Sequence, residues 1–228
     1  MSVRGNDTSR RDKVLGAVRS RLGRPGAPGR GGIDERLNGQ ARHLIPARSL
    51  QEPRGLRALF SAQLRSGNAT VLEAARDADI PAVIAEYLRG QNLPLTLRCG
   101  DDAWLASIDW PAESALTIVK GRAQPADEVG LTHAVAGIAE TGTLMLASGP
   151  ANPVTVTFLP ETSIVVLRAG DLMGHYEAAF DRLRERYGRG SMPRTVNLVS
   201  GPSRTADVGG RLVTGAHGPR RFCVVLVG

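Results

Sequence analysis

Cysteine is scarce in this sequence of 228 residues, in which Cys99 and Cys223 are the only two. Disulfide frameworks need more cysteines, so that class of protein is excluded. A four-cysteine iron–sulfur cluster is equally excluded within one chain that carries two. The four histidines lack the spacing of metal ligands, and we therefore expect no metal site in this chain.

Long apolar runs are also missing. The N-terminus has no apolar segment of the length that a signal peptide requires. No stretch approaches the roughly 18 apolar residues of a membrane-spanning helix. We therefore expect a cytoplasmic protein that does not enter a membrane.

Lysine is rare as well, because only Lys13 and Lys120 contribute to the 29 basic residues. Arginine dominates acidic and basic regions alike, which indicates a general compositional preference. The formal net charge of +7 is uneven, since residues 1–65 hold 14 basic and 5 acidic groups while residues 66–228 hold 15 and 17. The main part of the chain is therefore near neutral, which argues against nucleic acid as its partner.

The N-terminal segment is predicted to be an arm. Apolar residues at helical spacing predict a short helix over 8–22, capped by Thr8, and the glycines and prolines of 23–32 predict a flexible linker. We assign residues 1–53 to this basic arm and residues 54–228 to one domain. The arm is either a solvated tether or a surface for an anionic partner.

Short apolar strands alternate with amphipathic helices from residue 54 onward. Asp79 is expected to cap a helix over 80–90, and Asp171 is expected to cap a second helix, which ends at Gly188. This alternation predicts an α/β domain with a mostly parallel sheet covered by helices. Strands are predicted over 69–73, 93–99, 115–119, 143–147, 163–168, 195–200 and 222–227, and a further helix over 55–66.

Common cofactor and catalytic motifs are absent. The sequence has no GxGxxG between a strand and a helix, no phosphate-binding GxxxxGK[ST], no GxSxG and no HExxH. These absences exclude the familiar dinucleotide, nucleotide, hydrolase and zinc-protease signatures. We expect no cofactor in this chain.

The segment 130–143 is the first candidate site. Glu140 is the only carboxylate in a run of small, uncharged residues, and Thr-Gly-Thr follows it directly. Gly142 permits a sharp turn, and the threonines offer hydroxyls. A half-buried Glu140 would have a raised pKa, which suits a general base or nucleophile. The alternative is a turn glycine between strands, with Glu140 exposed or salt-bridged.

The loop after the strand over 195–200 is the second candidate site. Open α/β sheets bind ligands beyond the carboxyl ends of their strands. Arg204 offers a planar fork for a carboxylate or phosphate, flanked by the hydroxyls of Ser203 and Thr205. Asp207 would orient that fork or cap a following helix, and His217 would carry a proton. The alternative is an Arg204–Asp207 pair that only fixes the loop.

Four motifs occur in a fixed order, namely IAETGT at 138–143, FLP at 158–160, GPSRTAD at 201–207 and GAHGP at 215–219. In this order and spacing they resemble the LUD-domain family, and most closely its lactate utilization protein C (LutC/YkgG) type. The resemblance covers about residues 66–228 and leaves out the arm. It implies a fold similar to the NagB/RpiA/CoA-transferase-like group.

The resemblance also implies a role in oxidising L-lactate to pyruvate beside iron–sulfur subunits. The chain would be a non-redox component that binds a small carboxylate or phosphate, and self-association into a homo-oligomer stays open. The alternative is a free-standing enzyme of the CoA-transferase or sugar-phosphate-isomerase kind that uses Glu140. The candidate catalytic residues are Glu140 and His217, and the candidate substrate-binding residues are Thr141, Gly142, Thr143, Ser203, Arg204, Thr205 and Asp207.

Overall fold

The two longest strands in the described part of the protein, β7 (Thr162–Arg168) and β12 (Arg221–Val227), lie side by side in the interior of its larger sheet. Each has six successive buried residues, as expected for a parallel strand that is covered on both faces. A computed structural model describes residues 7–23, 32, 39, 44–110, 115–188, 190–208 and 211–228. The chain divides into two compact units, Met1–His43 and Leu44–Gly228.

The larger sheet has six strands, and every neighbouring pair in it is parallel. Its order is β1-β12-β7-β4-β2-β3. The predicted α/β class with a mostly parallel sheet is thereby confirmed. The four remaining strands of this sheet are β1 (Thr70–Ala74), β2 (Thr96–Cys99), β3 (Thr117–Lys120) and β4 (Val129–His133).

A second sheet of four strands was not foreseen from the sequence. Its order is β8-β5-β6-β9, with β6 antiparallel to both of its neighbours and β8 parallel to β5, and we call it the mixed sheet. A separate two-stranded hairpin follows it along the chain. The strands of the four-stranded sheet are β5 (Ala136–Ile138), β6 (Thr143–Ala147), β8 (Leu172–Met173) and β9 (Val196–Val199). Those of the hairpin are β10 (Arg204–Val208) and β11 (Arg211–Thr214).

Helices cover both sheets. In the first unit α1 spans Asp7–Arg21, close to the predicted helix, whereas most of the predicted linker over 23–32 lies outside the described residues. No helix in the described ranges is both long and apolar enough to cross a bilayer. The helices of the second unit are α2 (Pro53–Ser66), α3 (Ile80–Gly90), α4 (Ala103–Ser107), α5 (Val154–Phe158) and α6 (Tyr176–Tyr187).

The alternation of side chains along each central strand separates the core into layers. In β7, Ile164 and Val166 pack with α3 on one face of the parallel sheet, while Val165 and Leu167 pack with α2 and the inner face of the mixed sheet on the other. The outer face of the mixed sheet packs against α6. The parallel sheet is therefore buried on both sides, and its chemistry is confined to its edges.

One predicted helix cap is wrong, and a second holds in its position but not in its side-chain bond. Asp171 lies in a short 3-10 helix before β8 and pairs with Arg182, while α6 begins five residues later with His175 as its N-cap. The His175 ring accepts a hydrogen bond from the backbone N–H of Ala178 at 3.3 Å. Asp79 precedes α3 as predicted, but its carboxylate bonds Arg76 instead of capping the helix.

Candidate functional site

The predicted threonines belong to a cluster of four hydroxyls, which we call the hydroxyl cluster. The Thr143 hydroxyl shares hydrogen bonds with Thr141 at 2.7 Å, with Ser200 at 2.7 Å and with Tyr176 at 3.2 Å. Thr141 and Tyr176 are joined at 3.0 Å. Thr143 is fully buried. These neutral groups satisfy one another, so the cluster ties the start of β6 to the end of β9 and to α6.

Gly142 has a structural role in the turn before β6. Its backbone adopts a φ of +63°, which favours glycine. A Cβ at this position would lie 2.7 Å from the Gln63 Cβ and from the Leu64 backbone nitrogen of α2. Glycine is therefore required here by the close approach of the turn to the helix, and its predicted substrate-binding role stays a prediction.

Glu140 is largely buried and faces an arginine. Its carboxylate lies 3.8 Å from the guanidinium of Arg48, and 16% of its side chain is exposed. Its backbone N–H donates to the carbonyl of Gly174 at 3.0 Å. The salt-bridged alternative therefore describes its surroundings, while its catalytic role stays a prediction.

The loops around Ser203 and His217 enclose a cavity of about 440 Å³, which we call the loop cavity. The Ser203 hydroxyl accepts a hydrogen bond from the backbone N–H of His217 at 3.4 Å. Ser200 also lines this cavity, and it connects the cavity to the hydroxyl cluster. Among the described residues, Glu140 and Arg204 are not part of its lining. The structure thus brings Ser203 and His217 together without Glu140 or Arg204.

The predicted position of this loop relative to the parallel sheet is wrong. Its preceding strand, β9, belongs to the mixed sheet, where it runs antiparallel to β6. His217 precedes β12 and therefore lies toward the amino ends of the parallel strands. The rule that places ligands beyond the carboxyl ends of parallel strands therefore does not apply to this loop.

The second part of the GPSRTAD segment, from Arg204 onward, lies in strand β10 of the hairpin. Arg204 is exposed, and Thr205 pairs with Val213 across the hairpin. The backbone of Asp207 lies in this strand, so no helix follows for it to cap, and its side chain is outside the described residues. The hairpin explains the wrong prediction, since glycine-bounded polar segments are typical of both loops and short hairpins.

A second cavity lies at the carboxyl ends of three adjacent parallel strands. It measures about 580 Å³, and we call it the carboxyl-edge cavity. Asp102 follows β2, His133 ends β4 and Arg168 ends β7. The remaining residues that line it are Asp101, Ala103, Trp104, Ala151, Asp171, Arg182, Glu185 and Arg186.

His133 and Asp102 form a buried pair in the carboxyl-edge cavity. The His133 Nδ1 lies 3.2 Å from Asp102 Oδ2, and both side chains are 7% exposed. Asp102 also caps α4, since its Oδ1 accepts from the Leu105 N–H at 2.9 Å. Burial by itself raises the pKa of Asp102, but its hydrogen bonds with His133 and Leu105 outweigh burial and leave that pKa below the ordinary value.

Trp104 forms a wall of the carboxyl-edge cavity beside His133. The centroids of the two rings are 4.4 Å apart, and the Arg168 guanidinium lies 4.0 Å above the indole. The indole N–H donates to Asp77 at 2.7 Å, and Asp77 also pairs with Arg168 at 3.4 Å. These contacts fix the orientation of the ring that packs against His133.

The sequence did not single out this pair, because His133 was one of four histidines without a ligand pattern. The run Val-Gly-Leu-Thr-His at 129–133 contains an internal glycine, which hides the strand β4. A Cβ at Gly130 would collide with the Val156 carbonyl, so close packing of α5 requires the glycine. Recognising β4 would have placed His133 at a carboxyl end, where ligands bind.

Metal binding is not indicated by the donor groups. In the parts of the chain that the structure describes, no group of three or more histidine, cysteine or acidic side chains could hold a metal ion. Both cysteines are buried, and burial raises the pKa of the Cys99 thiol to about 11 and that of Cys223 to about 12. Neither thiol is therefore disposed to act as a thiolate ligand.

Comparison with known proteins gives consistent results. A protein named lactate utilization protein C from Shouchella clausii (strain KSM-K16) is 35% identical over 100 residues, covering 44% of each chain. YkgG of Escherichia coli (strain K12) is 26% identical over 170 residues, covering 74% of this chain and 71% of that protein. The matches to most of these curated relatives span about half of their length or less.

The fold also has a solved counterpart. A crystal structure of a DUF162 family protein from Deinococcus radiodurans has a TM-score of 0.55 at 20% identity, covering 78% of this chain and 99% of that chain. The sequence profile of the LUD domain matches residues 57–227, which is most of the second unit. The chain belongs to the LUD domain family, and among its relatives are the lactate utilization protein C and YkgG proteins.

Proposed function

We propose that this chain acts in the oxidation of L-lactate to pyruvate in the cytoplasm, as a component that binds a small carboxylate and does not itself carry electrons. The observation that carries this proposal is the similarity of the chain to several proteins named lactate utilization protein C, together with the match of residues 57–227 to the LUD domain family. The role of the relatives supports the role of this chain, while its partners and ligand belong to the proposal.

The chemistry of the cysteines supports the division of labour. Iron–sulfur clusters are held by thiolates, usually four of them. This chain has two cysteines, both buried in the core with raised pKa values. The electrons removed from lactate therefore pass to iron–sulfur partner subunits in this proposal.

The shape of the protein supports a small ligand. Its loop cavity and its carboxyl-edge cavity measure about 440 Å³ and about 580 Å³, within the range of small-molecule sites. Each contains a histidine and hydrogen-bonding side chains. The alternative of a CoA-transferase-like enzyme that uses Glu140 stays a prediction, in which the carboxylate would have to act beside Arg48.

Deletion of the chain from its own cells tests the proposed role. We expect the deletion strain to lose growth on L-lactate as sole carbon source, to grow normally on pyruvate, and to recover with the full chain supplied in trans. Affinity purification under anaerobic conditions should recover cysteine-rich iron–sulfur proteins. Normal growth of the deletion strain on L-lactate, together with purification free of such proteins, would overturn the proposal.

A further inference from the structure

The carboxyl-edge cavity combines three features of a built site. It lies where parallel strands point their carboxyl ends, which is the usual place for ligands in open α/β sheets. It contains His133, whose side chain is only 7% exposed, and the Nε2 of this ring has no hydrogen-bond partner among the described residues. A buried nitrogen of this kind normally has a partner, so its lack of one points to a ligand.

The pairing with Asp102 determines which nitrogen of His133 carries the proton. Asp102 is ionised near neutral pH, so its oxygen can only accept a hydrogen bond. Nδ1 of His133 must then donate, and in the neutral ring Nε2 is left with a lone pair. Nε2 can therefore accept a hydrogen bond from a ligand hydroxyl, but it would repel a ligand carbonyl oxygen.

One guanidinium in the cavity remains available for a carboxylate. Arg182 pairs with Asp171 at 2.6 Å and with Glu185 at 3.5 Å. Arg186, one helical turn further along α6, makes no ion pair with any residue that the structure describes. Asp101 also lines the cavity and has no ion pair in the same set of residues. Because Arg168 pairs with Asp77 and Arg182 pairs with Asp171, Arg186 is the guanidinium of this lining that has no ion pair among the described residues.

We propose that the carboxyl-edge cavity binds a small 2-hydroxy carboxylate, whose hydroxyl donates to Nε2 of His133 and whose carboxylate pairs with Arg186. Only the identity of the acid, L-lactate, rests on the proposed function. Since Nε2 is shielded from solvent, binding of the ligand at this nitrogen requires Trp104, whose ring packs against the imidazole, to leave its contacts with Asp77 and Arg168. Asp102 is a positioning residue that fixes the tautomer.

The loop cavity is the weaker site for such a ligand. Its histidine, His217, is exposed, and its side chain has no carboxylate partner among the described residues to fix a tautomer. The nearby Arg204 is exposed on the hairpin and is not part of the lining. The hydroxyls of Thr143 and Ser200 are bonded to each other. The histidine of the loop cavity is therefore exposed, and its Ser200 hydroxyl already has a partner.

Calorimetry on the full chain tests the proposed ligand with three probes of similar size. L-lactate should bind more tightly than propionate, which lacks the hydroxyl, and than pyruvate, which has a carbonyl oxygen in its place. Arg186→Ala and His133→Gln should each weaken L-lactate binding by about tenfold or more, as expected for the loss of a charged or buried hydrogen bond. Arg65→Ala, which removes an arginine from the last turn of α2, is the matched control.

Nitrogen-15 NMR of the imidazoles provides a readout that is independent of activity. His133 should show a protonated Nδ1 and a bare Nε2, and L-lactate should shift the Nε2 signal. In Asp102→Asn the amide can donate to Nδ1, so the proton should move to Nε2 and L-lactate should no longer bind. The variant Trp110→Phe keeps Trp104 as its single tryptophan. Addition of L-lactate should change the fluorescence of Trp104 in this variant, because the ring lies against His133.

Three outcomes would overturn the inference: equal affinity for the three acids, binding lost in His217→Gln but retained in His133→Gln, or no change at His133 upon saturation. If His133→Gln fails to fold, the exposed Arg186→Ala and the NMR signals decide. These results are separate from the growth test. If the chain binds L-lactate at His133 but the deletion strain still grows on L-lactate, the proposed function is refuted and the binding site is not.

Discussion

The loop cavity with its hydroxyl cluster and the carboxyl-edge cavity are two polar regions built on different principles. The hydroxyl cluster consists of neutral groups that bond one another across the mixed sheet. The carboxyl-edge cavity consists of charged and titratable groups, and it leaves His133 Nε2 and Arg186 without partners among the described residues. The difference teaches that a conspicuous motif can serve packing, and that buried polar groups without partners are the better candidates for binding a ligand.

Gly142→Ala is expected to have the largest effect, since it attacks the turn that carries the hydroxyl cluster. The new Cβ would collide with α2, and alanine would have to adopt a φ of +63°, which is unfavourable for any residue with a Cβ. We expect the collision and the backbone strain together to lower the free energy of unfolding by about 3 kcal/mol. Urea denaturation measures the loss. Gly149→Ala is the control, because no atom lies within 4 Å of its Cβ position. Equal stability of the two variants would contradict a packing role.

Asp102→Ala tests the charged region and is expected to cost about 2 kcal/mol near neutral pH, through loss of the α4 cap and of the His133 partner. Because the pKa of Asp102 is lowered in the folded protein, its contribution is complete above the ordinary carboxyl pKa of about 4 and is lost as the pH falls through the lowered value. The stability gap to wild type should therefore narrow below about pH 4.

The same urea titrations with Asp109→Ala serve as the control for Asp102. Asp109 is exposed and has no ion pair within the described ranges, so its removal should change the free energy of unfolding by less than about 0.5 kcal/mol. A gap for Asp102→Ala that stays constant from pH 7 to pH 3 would show that the carboxylate charge does not matter.

Thr143→Val tests whether the hydroxyl cluster is cooperative. The substitution removes three hydrogen bonds at a buried position, and we expect a loss of about 1–2 kcal/mol. Thr117→Val on an exposed position of β3 is the matched control. In a double-mutant cycle with Tyr176→Phe, a coupling of about 0.5 kcal/mol or more would show that the hydroxyls act together. Strict additivity would argue that they act separately.

Glu140→Gln should have the smallest effect on stability. Its pair with Arg48 spans 3.8 Å, and the arginine side chain is 57% exposed, so we expect less than about 0.5 kcal/mol by urea denaturation. Glu86→Gln on the exposed face of α3 is the control. If Glu140→Gln abolishes growth on L-lactate at unchanged stability, the predicted catalytic role of Glu140 is supported.

Most of the predicted elements agree with the structure, because their signals are local. The helix Ile80–Gly90 and the strand Thr143–Ala147 were predicted with their observed limits, and β7 and β12 within one residue. Apolar runs and helical periodicity depend on burial that each segment must find in any fold. The predicted cap of α6 was wrong, and Asp79 is at the N-cap of α3 without the capping bond, since such a bond depends on which side chains other partners leave free.

The candidate site was predicted less well, because it depends on which strands become neighbours. The sequence brought the two threonines and Ser203 to attention, and the structure links them through Ser200. It did not separate Arg204 and Glu140 from that cavity, nor foresee that β9 joins an antiparallel sheet. His133 and Asp102 are 31 residues apart, and only the adjacency of β2 and β4 pairs them.

The sequence by itself determined the α/β class, the family and the cysteine count, which excludes a four-thiolate cluster within this chain, since these depend on composition, local pattern and ordered motifs. Only the tertiary structure decided that the histidine with an oriented tautomer is His133 and not His217. The physical reason is that a tautomer is fixed by a hydrogen bond between distant segments, and the register of β2, β4 and β7 brings Asp102, His133 and Arg168 to one edge.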